Sequence, residues 1–113
     1  MTLEELNRYK VLKTRVKKYN DELETLEALR EEIEVDADLD KEIHNLKELL
    51  KQNKIELIQE LSHLIGYIES IADEETQGIF ISRFIEGKTL EQIGDELYLH
   101  SSTVFYRIKN QIE

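Results

Sequence analysis

From Tyr9 onward the apolar residues of this chain fall at Tyr9, Leu12, Val16, Tyr19, Leu23, Leu26 and Ile33, in alternating steps of three and four, with Arg30 the interruption. A spacing of about 3.5 residues marks a narrow seam on a helix whose other faces are charged, and such a seam needs a facing helix to receive it. The chain carries a second seam at Leu39, Ile43, Leu46 and Leu50, which passes the polar Asn53 and resumes at Leu57, Leu61, Leu64, Ile68 and Ile71. The two stretches predict long helices that can fold back as an antiparallel hairpin or pair between chains. Between them EVDADLD, residues 34–40, is a turn rich in aspartate, with Asp38 or Asp40 expected as the N-cap of the second helix. Asn53, a lone polar residue in the seam, is expected to specify register.

From Ile55 the apolar face widens to take in Ile58, Ile65, Tyr67 and Ala72, more than a two-helix seam requires. Residues 73–113 are the natural cover. Their first stretch, DEETQGIFISRFIEG, offers a helical apolar face at Ile79, Phe80, Phe84 and Ile85, and Gly87 follows as its stop. Thr89 and Gln92 then have the spacing of a capping box ahead of a stripe at Leu90, Ile93 and Leu97. Tyr98, Leu99 and His100 form a break, after which Ser101 or Ser102 is expected to cap a last helix that buries Val104, Ile108 and Ile112. The fold expected is all-α: a helical hairpin or coiled-coil arm over 1–72 and a small helix-turn-helix bundle over 73–113.

A helix-turn-helix needs a short first helix, a tight turn and a second helix with one side free for the major groove. Gly94 is small where the second helix approaches the first, Leu99 is apolar inside the turn, and Val104 with Ile108 anchors the second helix. Its free side would present Ser101, Ser102, Thr103, Tyr106, Arg107, Lys109 and Asn110. Hydroxyls, amides and tyrosine meet bases or phosphates, and Arg107 and Lys109 add the charge that phosphate rewards. Thr89, at the start of the first helix, is expected to meet phosphate as well.

Charge bears on this reading. The formal net charge is -10, divided as +4 over residues 1–20, -13 over 21–78 and -1 over 79–113. The acid lies in the middle of the chain, so the helix-turn-helix itself is close to neutral, while the acidity argues against electrostatic attraction of the whole body to nucleic acid. There is no cysteine, which excludes disulfides, thiolate metal sites and Cys nucleophiles. His44, His63 and His100 lack metal-ligand spacing, and no Gly-rich phosphate loop or Ser-His-acid pattern occurs. No metal, cofactor or enzymatic activity is expected. Met1 to Asn7 is polar, and no apolar run approaches the roughly 18 residues of a membrane span, so a cytoplasmic protein without membrane contact is expected.

The run ISRFIEGKTLEQIGDEL, with STVFYRI after it, resembles the C-terminal DNA-binding region of sigma factors and the sigma-like regulators of bacteriophages and integrated elements. Arg83, Phe84, Gly87, Thr89, Leu90, Ile93 and Gly94 stand at the positions of that pattern. The resemblance covers roughly residues 71–112, and the charged helical part before it is similar in character to that of small phage late-gene activators of Gram-positive hosts. It implies double-stranded DNA as ligand and RNA polymerase as partner. The second helix is poor in base-reading Arg, Lys, Asn and Gln at its start, so affinity per subunit is expected to be modest, with a homodimer or a partner compensating. The family commonly has glycine where this chain has Tyr98, and tyrosine at positive φ is strained, so a shifted turn or other backbone angles are expected. A rival reading takes the -13 segment as an acidic interaction surface, an inhibitor or nucleic-acid mimic binding a basic protein. A phage packaging or assembly factor shares the same features and would differ in oligomer size.

Overall fold

The computed structural model describes residues 1–34 and 36–112. Among the described residues there are five α-helices: α1 (Leu3–Glu32), α2 (Ala37–Glu69), α3 (Glu74–Phe80), α4 (Leu90–Leu97) and α5 (Ser101–Ile112), with α3 running on into a π-helical turn, Ile81–Ile85. Among the described residues there is no strand, and no helix is long and apolar enough to cross a membrane. The all-α class and the long paired helices followed by smaller ones match the sequence pattern.

Each long helix starts on a side-chain cap. Thr2 Oγ1 accepts from the Glu5 amide at 3.1 Å while the Glu5 carboxylate accepts from Thr2 N, a capping box at the head of α1. At α2 the cap is Asp36 rather than Asp38 or Asp40: its Oδ1 accepts from the amides of Asp38 at 3.0 Å and Leu39 at 3.1 Å. A cap side chain reaches only the second and third amides of its helix, and Asp36 is the aspartate at that distance. Asp40 is thereby left for Arg30, whose Nε donates to its Oδ1 at 2.5 Å while Nη1 donates to the carbonyls of Ile33 and Glu34. The interruption of the first seam is therefore the residue that closes the hairpin turn.

Contacts divide the chain into two compact units, Val11–Gln59 and Met1–Lys10 with Glu60–Glu113. This division falls at other points than 72/73. In the hairpin unit Leu12, Val16, Ile43 and Leu50 are buried, and Tyr19, Leu23, Leu26, Leu39, Leu46 and Leu57 are half-buried. Two helices form one layer and leave the rims of their seam in water. Asn53 is buried in this seam, and its Nδ2 donates to the Leu49 carbonyl at 2.8 Å, so its amide is satisfied within α2. Ile33 stays 41% exposed, beyond the end of α1.

The other unit gathers the first turns of α1, the end of α2 and everything after it. Leu6, Leu64, Ile68, Ile71, Ile79, Phe80, Phe84, Ile93, Val104 and Ile108 form its core. Phe80 lies fully buried against Phe84, ring centroids 5.2 Å apart, and near Tyr67 at 6.1 Å. Leu6 precedes the point where the heptad pattern becomes regular and belongs to this core rather than to the hairpin seam. The expected covering of Ile55, Ile58 and Ile65 does not occur: they are 42, 65 and 39% exposed, and Ala72 is exposed too. Leu64, Ile68 and Ile71, at steps of four and three, turn one stripe of the helix inward, and these residues lie off it.

Candidate nucleic-acid interface

The segment that leads into the helix-turn-helix is set by Asp73, Arg83 and Gly87. Asp73 caps α3, its Oδ2 accepting from the Thr76 amide at 3.0 Å and the buried Thr76 hydroxyl at 2.6 Å. Those two hydrogen bonds, with Arg107 nearby, hold the Asp73 carboxyl below its ordinary pKa. In the π-helical turn the Glu86 amide reaches back to the Ile81 carbonyl, which advances the helix phase and leaves Ile85 half-buried rather than in the core. Gly87, at φ 74, ends it, and the Lys88 amide returns to the Ser82 carbonyl at 2.9 Å. Arg83 Nη1 donates to the Lys88 carbonyl at 3.0 Å, fastening the loop that delivers Thr89.

At Thr89 the capping box forms as its spacing predicts: Oγ1 accepts from the Gln92 amide at 3.1 Å, and the Gln92 side chain accepts from Thr89 N at 2.8 Å. Within α4 Ile93 and Gly94 are buried, Leu90 is half-buried and Leu97, expected in the stripe, is 36% exposed. Gly94 is where the turn crosses the helix. A Cβ on it would sit 2.5 Å from the Leu99 carbonyl oxygen, so only glycine lets the backbone pass. The Leu99 amide donates to the Gly94 carbonyl at 2.8 Å, the long bond of a Schellman-type ending, and Leu99 is half-buried as its place in the turn requires.

The expected departure at Tyr98 does not occur. Tyr98 itself takes the left-handed conformation, φ 57 and ψ 40, in the place where glycine is the usual choice. The turn has the backbone that its hydrogen bonds dictate, and the tyrosine carries the strain. Its side chain is 96% exposed, so no packing offsets the cost. Neither Ser101 nor Ser102 is the cap of α5: both lie inside its first turn, and the His100 carbonyl accepts from Thr103 and Val104 N–H at 3.0 and 3.2 Å.

Val104 and Ile108 are buried and fix how α5 is rotated, whereas Ile112 is half-buried. The same rotation brings Ser102, Thr103, Tyr106, Lys109 and Asn110 onto one open face, all exposed. Ser101 lies apart from that group, sharing a shallow cleft with Thr89, Arg83, Leu90 and Glu91. Arg107 is drawn the other way. Its Nη1 is 3.3 Å from Asp73 Oδ2 and its Nη2 2.9 Å from Glu75 Oε1, so it fastens α5 to the start of α3 instead of facing outward as expected.

Charge on this segment is largely neutralised from within. Lys88 Nζ lies 2.9 Å from Glu96 and 3.1 Å from Glu86, and hydrogen bonds to these carboxylates raise its pKa. Among the described residues Lys109 has no ion pair. Sequence reasoning could not see the pairing of Arg107, because Asp73 and Glu75 are more than thirty positions away in the chain. The chain matches no known protein family, no curated protein and no solved structure.

Proposed function

We propose that the α4–turn–α5 corner is the DNA-reading part of a sequence-specific transcriptional regulator of the sigma-like kind, encoded by a phage or mobile element and working in the cytoplasm. The observation that carries this reading is the open face of α5, where Ser102, Thr103, Tyr106, Lys109 and Asn110 stand together on a helix whose opposite side is locked by Val104 and Ile108. Set in a major groove, Asn110 has the donor and acceptor to address adenine, the hydroxyls suit bases or phosphate, and Lys109 meets phosphate. Thr89 retains a hydroxyl proton for phosphate, and the first amides of α4 lie beside it. The internal pairing of Lys88 and Arg107 leaves little cationic surface, so one corner binds weakly. Two corners in a homodimer, or a corner held by RNA polymerase, would make up the difference.

The test is retention of genomic fragments by the purified protein at two salt concentrations, followed by sequencing of what is held. The expected result is a discrete promoter-proximal site, bound with a shallow salt dependence that Lys109→Ala flattens further by about one phosphate contact. Arg107→Ala is expected to loosen α5 against α3 instead, weakening binding at all sequences alike. No retention at low salt overturns the reading.

A second reading draws on the same neutralised cations together with the charge of -13 over residues 21–78. In it the acidic segment binds a basic protein, as an inhibitor or nucleic-acid mimic does. That complex would survive Lys109→Ala unchanged.

A further inference from the structure

Beside the open face of α5 lies a groove of about 380 Å³ with apolar walls. Phe105, Ile108 and Ile112 give one wall, and Leu3, Phe84 and Leu90 the other. Leu3 and Phe105 are 52 and 47% exposed, large apolar side chains left in water at its mouth. The polar residues of the lining are Arg83 and Lys109, both cations. From these we infer that the groove receives an acidic amphipathic helix of a partner protein.

Shape and charge both select this occupant. From Phe105 to Ile112 the wall on α5 runs for about 10 Å, the length over which a partner helix presents anchors at i, i+3 or i+4, and i+7. An extended strand would need an unpaired sheet edge, and the described residues contain no strand. DNA is excluded by the apolar walls. The unit that carries the groove, 1–10 with 60–113, has six basic groups against twelve carboxylates, yet the groove presents cations alone among its charges. At physiological salt charges beyond roughly 8 Å are screened, so a docked helix responds to Lys109 and Arg83 rather than to the acidic body. Lys109 has no carboxylate to give up among the described residues, and Arg83 uses one N–H on the Lys88 carbonyl, so both can pair with incoming carboxylates. The groove does not depend on the DNA reading: its apolar wall on α5 is a different side of the helix from Ser102, Thr103, Tyr106 and Asn110.

The probe is a fluorescein-labelled synthetic helix of about four turns, with leucines at i, i+3 and i+7 and glutamates elsewhere, titrated with the full chain and followed by anisotropy. A lysine-for-glutamate version of the same helix is the control. The expected result is saturable binding of the acidic helix and much weaker binding of the basic one. Lys109→Glu should reduce affinity about three- to tenfold, and Phe105→Asp, at a residue exposed enough to leave the core intact, more than about tenfold. Circular dichroism melts of both variants check that they fold. Equal binding of the two helices, no binding of either, or binding indifferent to both substitutions overturns the proposal. So does self-association abolished by Phe105→Asp in a chain that ignores the peptide, since the occupant would then be a second copy. None of these readouts involves DNA, so failure here and failure of the regulator reading are distinguishable.

Discussion

The hairpin unit and the α4–α5 corner are both helix pairs joined by a short turn, yet they are specified in different ways. In the hairpin the information is repetitive: a seam of Leu, Ile, Val and Tyr in which most members are half-buried, joined by surface ion pairs such as Lys47–Glu27 at 3.5 Å. Exposed pairs of that kind contribute about 0–1 kcal/mol, and no single half-buried leucine decides the fold. In the corner the information is concentrated. Gly94 admits the turn, Thr89 and Gln92 cap α4, and Arg83 fastens the loop ahead of it. A long seam tolerates local error because its neighbours keep the register, whereas a tight corner has no neighbours to share the cost.

The widest separation between a tight corner and a long helix is expected from one substitution made at two glycines, Gly94 in the corner and Gly66 in the interior of α2, beyond the hairpin unit. Gly94→Ala drives a methyl group against the Leu99 carbonyl, a backbone atom of a residue whose amide is bonded to the Gly94 carbonyl, and should cost about 1–3 kcal/mol. Gly66→Ala on the long helix α2 meets nothing within 4 Å and removes a flexible residue from a helix interior, so it should stabilise by about 0.5–1 kcal/mol. Urea denaturation followed by circular dichroism measures both. The same sign at the two sites would break the comparison, because it would mean that the turn can move away from α4.

A smaller effect of opposite sense is expected at Tyr98. A left-handed conformation costs a non-glycine residue about 1–2 kcal/mol, part of which glycine returns through the greater freedom of the unfolded chain. With a side chain 96% exposed there is no packing to lose, so Tyr98→Gly should raise stability by up to about 1 kcal/mol in the same denaturation experiment. A loss of stability would show that the ring makes a contact that offsets its backbone. Measured alongside fragment retention, the variant also separates strain from binding: a more stable protein with weaker retention would assign the tyrosine to the partner surface.

What was legible in the sequence follows the same division. Periodicity carries over many residues, so the two long helices, their seam and the order of the smaller helices could be read directly. The capping box at Thr89 and the small residue at Gly94 were legible because each is a short local pattern with one physical meaning. Three kinds of feature were not. A cap is decided by reach, which placed it at Asp36 rather than at the next two aspartates and left Ser101 and Ser102 inside their helix. The π-helical turn shifts phase by hydrogen bonds that a periodic template does not contain, and Ile85 moved out of the core with it. Arg107 looked free because its partners lie on another helix. Of the residues expected at DNA, Ser102, Thr103, Tyr106, Lys109 and Asn110 share a face because burial of Val104 and Ile108 fixes them together, and that burial was itself readable.

The smallest expected effect concerns Asp73, which joins the two ends of the corner's support by capping α3 and pairing with Arg107 at 3.3 Å. Its carboxyl is held below the ordinary pKa by the hydrogen bonds from the Thr76 hydroxyl and amide and by the Arg107 charge. A carboxyl whose pKa is lower in the folded chain than in the unfolded one binds fewer protons when folded. Its contribution is therefore complete above the unfolded aspartate range and drains away as pH falls through the folded pKa. Asn is also a good N-cap, so Asp73→Asn should keep α3 and remove this proton linkage. The stability difference between the parent and the variant is expected to favour the parent at neutral pH and to narrow in acid, over the range from the ordinary aspartate pKa downward. Other carboxylates titrate in both proteins and cancel in the difference, which thermal melts at a series of pH values would follow. A difference that stays constant with pH would assign the role of Asp73 to cap geometry alone and leave Arg107 tied to α3 chiefly through Glu75.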